Sequence, residues 1–143
     1  MRDYAEAART FDHDQAVVAA LHGNLEALNA CVECCDRHAG DGKLALIHED
    51  RDGNSARYSF DQLQVQAARF ANVLKAQGVG AGDRVAGLMP RTPELLVTIL
   101  ATWRLGAVYQ PLFTAFGPKA IEHRLNSSGA ALVVTDAVNR SKL

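Results

Sequence analysis

The chain has 143 residues, 48% of them apolar, and a formal charge of −1. That length supports one domain able to bury about 68–70% of the surface its extended chain would expose, without disulfide or metal staples. The near-zero charge gathers no polyanion, so nucleic acid is not an expected partner. No apolar run approaches the eighteen or so residues of a membrane span, and MRDYAEAARTFDHD lacks the apolar stretch of a secretory signal. The expected location is cytoplasmic.

Residues 1–23 read as an extension with one brief helix: Asp12 precedes Gln15 at capping-box spacing, ahead of the apolar run Ala16 to Leu21. The domain proper is expected over residues 24–143. Asn24 opens a stronger helix, in which Leu25, Leu28, Cys31, Val32 and Cys35 recur at three and four before Arg37, His38 and Gly40. Cys31, Cys34 and Cys35 with His38 have the look of zinc ligands. A tetrahedral site usually draws on two separated clusters, and the sequence holds no second one, so these are read as reduced core thiols and no metal ligand is assigned.

Two short strands follow, Lys43 to His48 and Ala56 to Phe60, joined by EDRDGNS, whose Asp52-Gly53 supplies turn chemistry for a hairpin. Ser59 and Gln62 form a second capping-box pair. Leu63, Ala67, Phe70, Ala71 and Leu74 then mark one face of a helix that Gly78 ends. A strand is expected from about Arg84 to Met89. Thr92-Pro93-Glu94 starts a helix apolar nearly all round, from Leu95 to Leu105, which implies burial on more than one side.

AVYQPL is a strand whose hydrogen bonding Pro111 closes, because proline has no N–H to give. Gly117-Pro118 opens the next helix, Gly129 closes it, and ALVVT is the last strand. Strand, helix, strand, helix, strand with short links predicts an α/β fold: a mainly parallel sheet flanked by helices, with an N-terminal β-hairpin. Phe113 and Phe116 flank a sharp corner, where they are expected to turn over the sheet edge as apolar surface.

These pieces in this order resemble the N-terminal portion of the AMP-forming acyl-CoA synthetases, the adenylate-forming superfamily. The likeness runs from RYSF through AARFANVLKAQGVGAGDRV, GLMPRTPE and LLVTILATWRLGAVYQPL to ALVVTD, over roughly residues 24 to 143. FTAFGPKAIEHRLNSSGA looks closer to the acetyl-, propionyl- and medium-chain branch. The resemblance implies a ligase of fatty acid metabolism that makes an acyl adenylate from a carboxylic acid and ATP with Mg²⁺, then passes the acyl group to CoA.

That family holds the ATP phosphates with a Ser/Thr/Gly-rich loop ending in Pro-Lys and places a catalytic lysine on a mobile C-terminal domain, and neither is in this sequence. No catalytic residue is therefore assigned. The chain is expected to be inactive as a fragment, to bind none of these cofactors alone, and to self-associate through exposed apolar surface. Asn126-Ser127-Ser128-Gly129 follows a helix, so it reads as a C-cap rather than a phosphate cradle.

The resemblance carries one binding residue. Synthetases of the acetyl type have a basic cluster soon after the equivalent of VVTD that contacts the 3′-phosphate of CoA, and Arg140 matches it. The family's second arginine, three residues on, is replaced here by Leu143, with Lys142 the nearest base. Arg91, after the strand GLMP, reads as a solvated loop residue or as part of a wall near a nucleotide or CoA entrance. Glu122 and His123 are adjacent on a helix and point apart, so they make no acid/base pair. The alternatives are a non-catalytic interaction module and a stand-alone nucleotide-binding α/β module. The latter would need a GxGxxG or GxxxxGK[ST] spacing, and neither occurs.

Overall fold

Side-chain oxygens and prolines set where the helices begin. The computed structural model describes residues 3–23 and 26–143. Two short helices replace the single one expected at the N-terminus: α1 (Tyr4–Thr10), capped by Asp3, and α2 (His13–Ala20), whose cap Asp12 accepts from Gln15 N at 3.0 Å. Neither buries a residue. The expected helix start at Asn24 and Leu25 lies outside the described residues. The helix that is seen, α3, covers only Ala30–Cys34, because Asn29 caps it by accepting from Cys31 N and Val32 N. A 3₁₀ turn over Asp36–His38 follows.

Of the apolar stripe, Cys31 and Cys35 are buried, while Leu28 and Val32 are exposed, as is the neighbouring Cys34. All three thiols are free, as expected, but only two belong to the core. Burial pushes the Cys31 thiol up, against the pull of the Arg104 charge, and pushes Cys35 up to about 11. Glu33 fastens the N-terminal helices to α3: its carboxylate accepts from His22 N and Gly23 N and pairs with Arg37 at 2.7 Å. The His22 amide, chiefly, holds that carboxyl below its ordinary range.

Strands β1 (Leu44–Glu49) and β2 (Ser55–Ser59) form an antiparallel hairpin that is a sheet by itself. Helix α4 (Phe60–Ala76) begins on a complete capping box between Ser59 and Gln62. The main sheet has three parallel strands in the order β4-β3-β5: β3 (Arg84–Leu88), β4 (Val108–Pro111) and β5 (Leu132–Thr135). Helix α5 (Pro93–Arg104) links β3 to β4, and α6 (Pro118–Ser128) links β4 to β5.

Strand alternation divides the core into two faces. Val85, Leu132 and Val134 pack with Ala71 and Leu74 of α4 and Ala101 of α5. Ala86, Leu88 and Val133 point the other way, onto Ile121 and Leu125 of α6. Each fully buried aliphatic chain contributes about 1.5–3 kcal/mol, so β3, buried from Val85 to Leu88, is the sheet's anchor. A third cluster joins Cys31 and Cys35 to Leu63 and Ala67 of α4 and to Val97 and Leu100 of α5, seating α3 on the helical layer.

Candidate functional site

β3 ends at Leu88 and β4 at Pro111, and the loops leaving both strands open on the same edge of the sheet. After β3, Met89 and Pro90 lead into a tight bend in which Thr92 N donates to Pro90 O at 2.9 Å, and Pro93 then starts α5. After β4, Leu112 N makes a last bond to Gly87 O at 3.0 Å, and Phe116 N closes a turn on Phe113 O at 2.9 Å. The hairpin tip reaches the same place. A cleft of about 830 Å³ results, with Met89, Leu95, Leu112 and Phe116 among its apolar walls, and His48, Asp50, Arg51 and Arg91 supplying polar groups. That volume is within the range of small-molecule sites, about 300–1,000 Å³.

Of the carboxylates in and next to the cleft, Asp50 and Glu94 are occupied with structure. Asp50 accepts from Asn54 Nδ2, Asn54 N and Asp52 N, each at 2.9 Å, and the Asn54 side-chain bond leads the causes that hold its carboxyl below the usual range. At the start of α5, the Thr92 hydroxyl and the helix N-terminus likewise keep Glu94 ionised. Neither carboxylate suits proton abstraction near neutral pH. The exposed cations Arg51 and Arg91 suit an anionic group at the rim instead.

The corner aromatics sit at this edge. Phe113 is 61% exposed, while Phe116 is half-buried, meets Phe113 edge-on at 5.7 Å, and carries the Arg124 guanidinium 4.1 Å from its ring centre. Phe116 is thus packed on both sides and Phe113 is not. Arg91 lies on the cleft wall at the carboxyl end of β3. Arg140 stands exposed in a 3₁₀ turn, Asn139–Lys142, just past β5. Lys142 is otherwise engaged, its ammonium donating to Thr114 O and to Asn139 Oδ1. No sequence signal points to that bond, since a backbone carbonyl is available at every residue.

Gly129 ends α6 with φ 59° and ψ 46°, a left-handed cap, and the Arg84 guanidinium takes the carbonyls of Ser128 and Gly129 at 2.9 and 2.7 Å. The stretch Asn126 to Gly129 is therefore a helix terminus held by a cation. Glu122 and His123 are both exposed on α6, with no bond between them among the described residues. Also among the described residues, no group of three His, Cys, Asp or Glu side chains is placed to hold a metal, and no helix is long and apolar enough to cross a membrane.

A parallel sheet with helices on both faces and a cleft beyond the carboxyl ends of its strands defines an α/β domain of the ligand-binding kind. Residues 33–143 match the family described as AMP-binding enzyme, and the chain belongs to it. It is 46% identical over 112 residues to an acetyl-coenzyme A synthetase of Sodalis glossinidius, covering 76% of this chain and 17% of that protein. The acetyl-coenzyme A synthetase of Bacillus subtilis is 37% identical over 139 residues, 94% of this chain and 24% of the relative. In three dimensions the chain is similar to the crystal structure of a Brucella canis acyl-CoA synthetase, with a TM-score of 0.96 and 52% identity over 99% of this chain and 26% of that one. The chain therefore spans about a quarter or less of the length of these relatives.

Proposed function

We propose that these residues form the N-terminal part of an acid–thiol ligase that activates a short- or medium-chain carboxylate with ATP to the acyl-AMP and transfers the acyl group to CoA in the cytoplasm. Residues 1–23 serve as its extension and residues 24–143 as its N-terminal α/β subdomain. The observation that carries the reading is the Brucella canis likeness: near-complete coverage of this chain at 52% identity, on an acyl-CoA synthetase almost four times as long. The stretch from Phe113 to Ala130, with its resemblance to the acetyl- to medium-chain branch, supports the substrate class.

The described residues do not fit a bound MgATP, having neither a glycine-rich loop opening a helix after a strand nor a metal-ligand group, so no chemical step is assigned to them. Their part is to support and to bind. Arg140 fits the CoA role, since an exposed guanidinium meets a phosphate with a planar pair of donors. The 143-residue chain, mixed with ATP, Mg²⁺, labelled pyrophosphate and a panel of carboxylates from acetate to octanoate, is expected to give no exchange. Exchange above a protein-free blank would defeat this reading.

Phe113, exposed beside the apolar cleft wall, is the seat of the self-association proposed for the isolated chain. Sedimentation is expected to show a concentration-dependent oligomer, or the monomer to bind a hydrophobic dye, with Phe113→Ser weakening either. A monomer that binds no dye would refute it.

A further inference from the structure

The turn carrying Arg140 is locked at both ends. Thr135 Oγ1 donates to Leu88 O at 2.9 Å, tying the end of β5 to the end of β3. Asp136 then accepts from Asn139 N at 2.7 Å and from Asn139 Nδ2 at 2.9 Å, while its own carbonyl accepts from Arg140 N at 3.1 Å. Asn139 is buried, so its side-chain oxygen also needs a donor. Lys142 Nζ provides one at 3.0 Å and gives a second hydrogen bond to Thr114 O, 28 residues back in the turn between β4 and α6.

Holding a lysine this way costs rotamer entropy, which two charge-assisted bonds in a half-buried site offset. The consequence is mechanical. Thr114 and its neighbour Phe113 line the cleft, whereas Arg140, two residues before Lys142, is exposed to solvent. Without Lys142, no side chain recorded among the described residues would bond the Arg140 turn to the cleft-wall turn.

We infer that Lys142, through Asn139 and the Thr114 carbonyl, is a positioning residue that fixes where Arg140 stands relative to the cleft wall, and thereby sets the affinity of the parent synthetase for the phosphate end of CoA. This rests on the CoA reading of Arg140 and deepens it. A cation on a fixed turn binds a phosphate without first being ordered, and that ordering cost is what the brace removes. Lys142 itself touches no substrate.

The test uses the full-length synthetase with Lys142→Met, Lys142→Arg and Arg140→Ala, measuring KM for CoA, kcat, ATP–pyrophosphate exchange without CoA, and deuterium uptake over residues 112–117. Lys142→Met is expected to raise KM for CoA about five- to tenfold, as for a side chain that must be ordered on binding, with kcat and exchange unchanged and uptake increased. Lys142→Arg, which returns the donors, is expected to recover most of the loss. An unchanged KM for CoA in Lys142→Met, alongside a raised one in Arg140→Ala, overturns the positioning role even if uptake rises. A matching loss of exchange in Lys142→Met overturns it too, since that reports general loosening. An unchanged KM for CoA in Arg140→Ala instead defeats the CoA reading, and the positioning role falls with it.

Discussion

Gly87→Ala is expected to destabilise the chain by about 3 kcal/mol, the upper part of the range for forcing an extra methyl into a filled site. Gly87 lies in the central strand, paired with Pro111 on one side and Val134 on the other. A Cβ built there would stand 2.3 Å from the Tyr109 hydroxyl oxygen and 2.8 and 2.9 Å from two ring carbons. The ring is stiff and half-buried, so it cannot yield without giving up packing. Backbone displacement is the other escape. It would move the bond from Leu112 N to Gly87 O, and with it the cleft wall. Urea unfolding measures the loss. Tyr109→Phe in the Gly87→Ala background should rescue little, because the ring carbons still clash, whereas Tyr109→Leu should recover about half. A Gly87→Ala midpoint equal to wild type would show that the ring swings aside freely.

The same residues show what a sequence can and cannot carry. The run from α4 to β5 was legible because its punctuation is local: Ser59 with Gln62 caps α4, Pro93 and Pro118 open the next helices, and Gly106 and Gly129 follow them. Helix α3 was not, since an apolar recurrence from Leu25 to Cys35 looks continuous, while the start is set by whichever Asn side chain captures the free amides, here Asn29. Strand order was also out of reach. Sequence predicts parallel strands, but that β3 lies between β4 and β5 depends on which face each crossover helix covers.

The cleft was half visible. Arg91 could be placed at the carboxyl end of a strand, yet the approach of the hairpin's His48, Asp50 and Arg51 to Phe113 joins segments some sixty residues apart. Resemblance to a family supplied Arg140. Neither pattern nor resemblance supplied the Lys142 brace, whose acceptor is a main-chain carbonyl.

Asp36→Ala is expected to cost about 2 kcal/mol, less than the 3–5 of a fully buried ion pair because Arg104 keeps 26% of its side chain exposed. Arg104 Nη2 donates to Asp36 Oδ1, and Asp36 is only 14% exposed. The neighbouring Arg104 Nε is buried without an acceptor among the described residues, so the carboxylate is what compensates the guanidinium. Removing it strands a charge beside the buried Cys31 thiol. The pair also joins the turn after α3 to the last turn of α5, a union reinforced by Asn29 Nδ2 donating to Arg104 O at 3.2 Å and by the apolar contact of Cys31 and Cys35 with Val97 and Leu100.

Because the penalty belongs to the orphaned cation rather than to the lost attraction, deleting both charges should be milder than deleting one. Asp36→Ala with Arg104→Met is expected to regain at least half of the single-mutant loss, and chemical denaturation of the four species gives the coupling directly. Since the pair is mostly buried, the coupling should change little between low and high salt. Simple additivity of the two substitutions would mean that the union of α3 with α5 depends on apolar contact around Cys31 and Leu100, and that the ion pair is incidental to it.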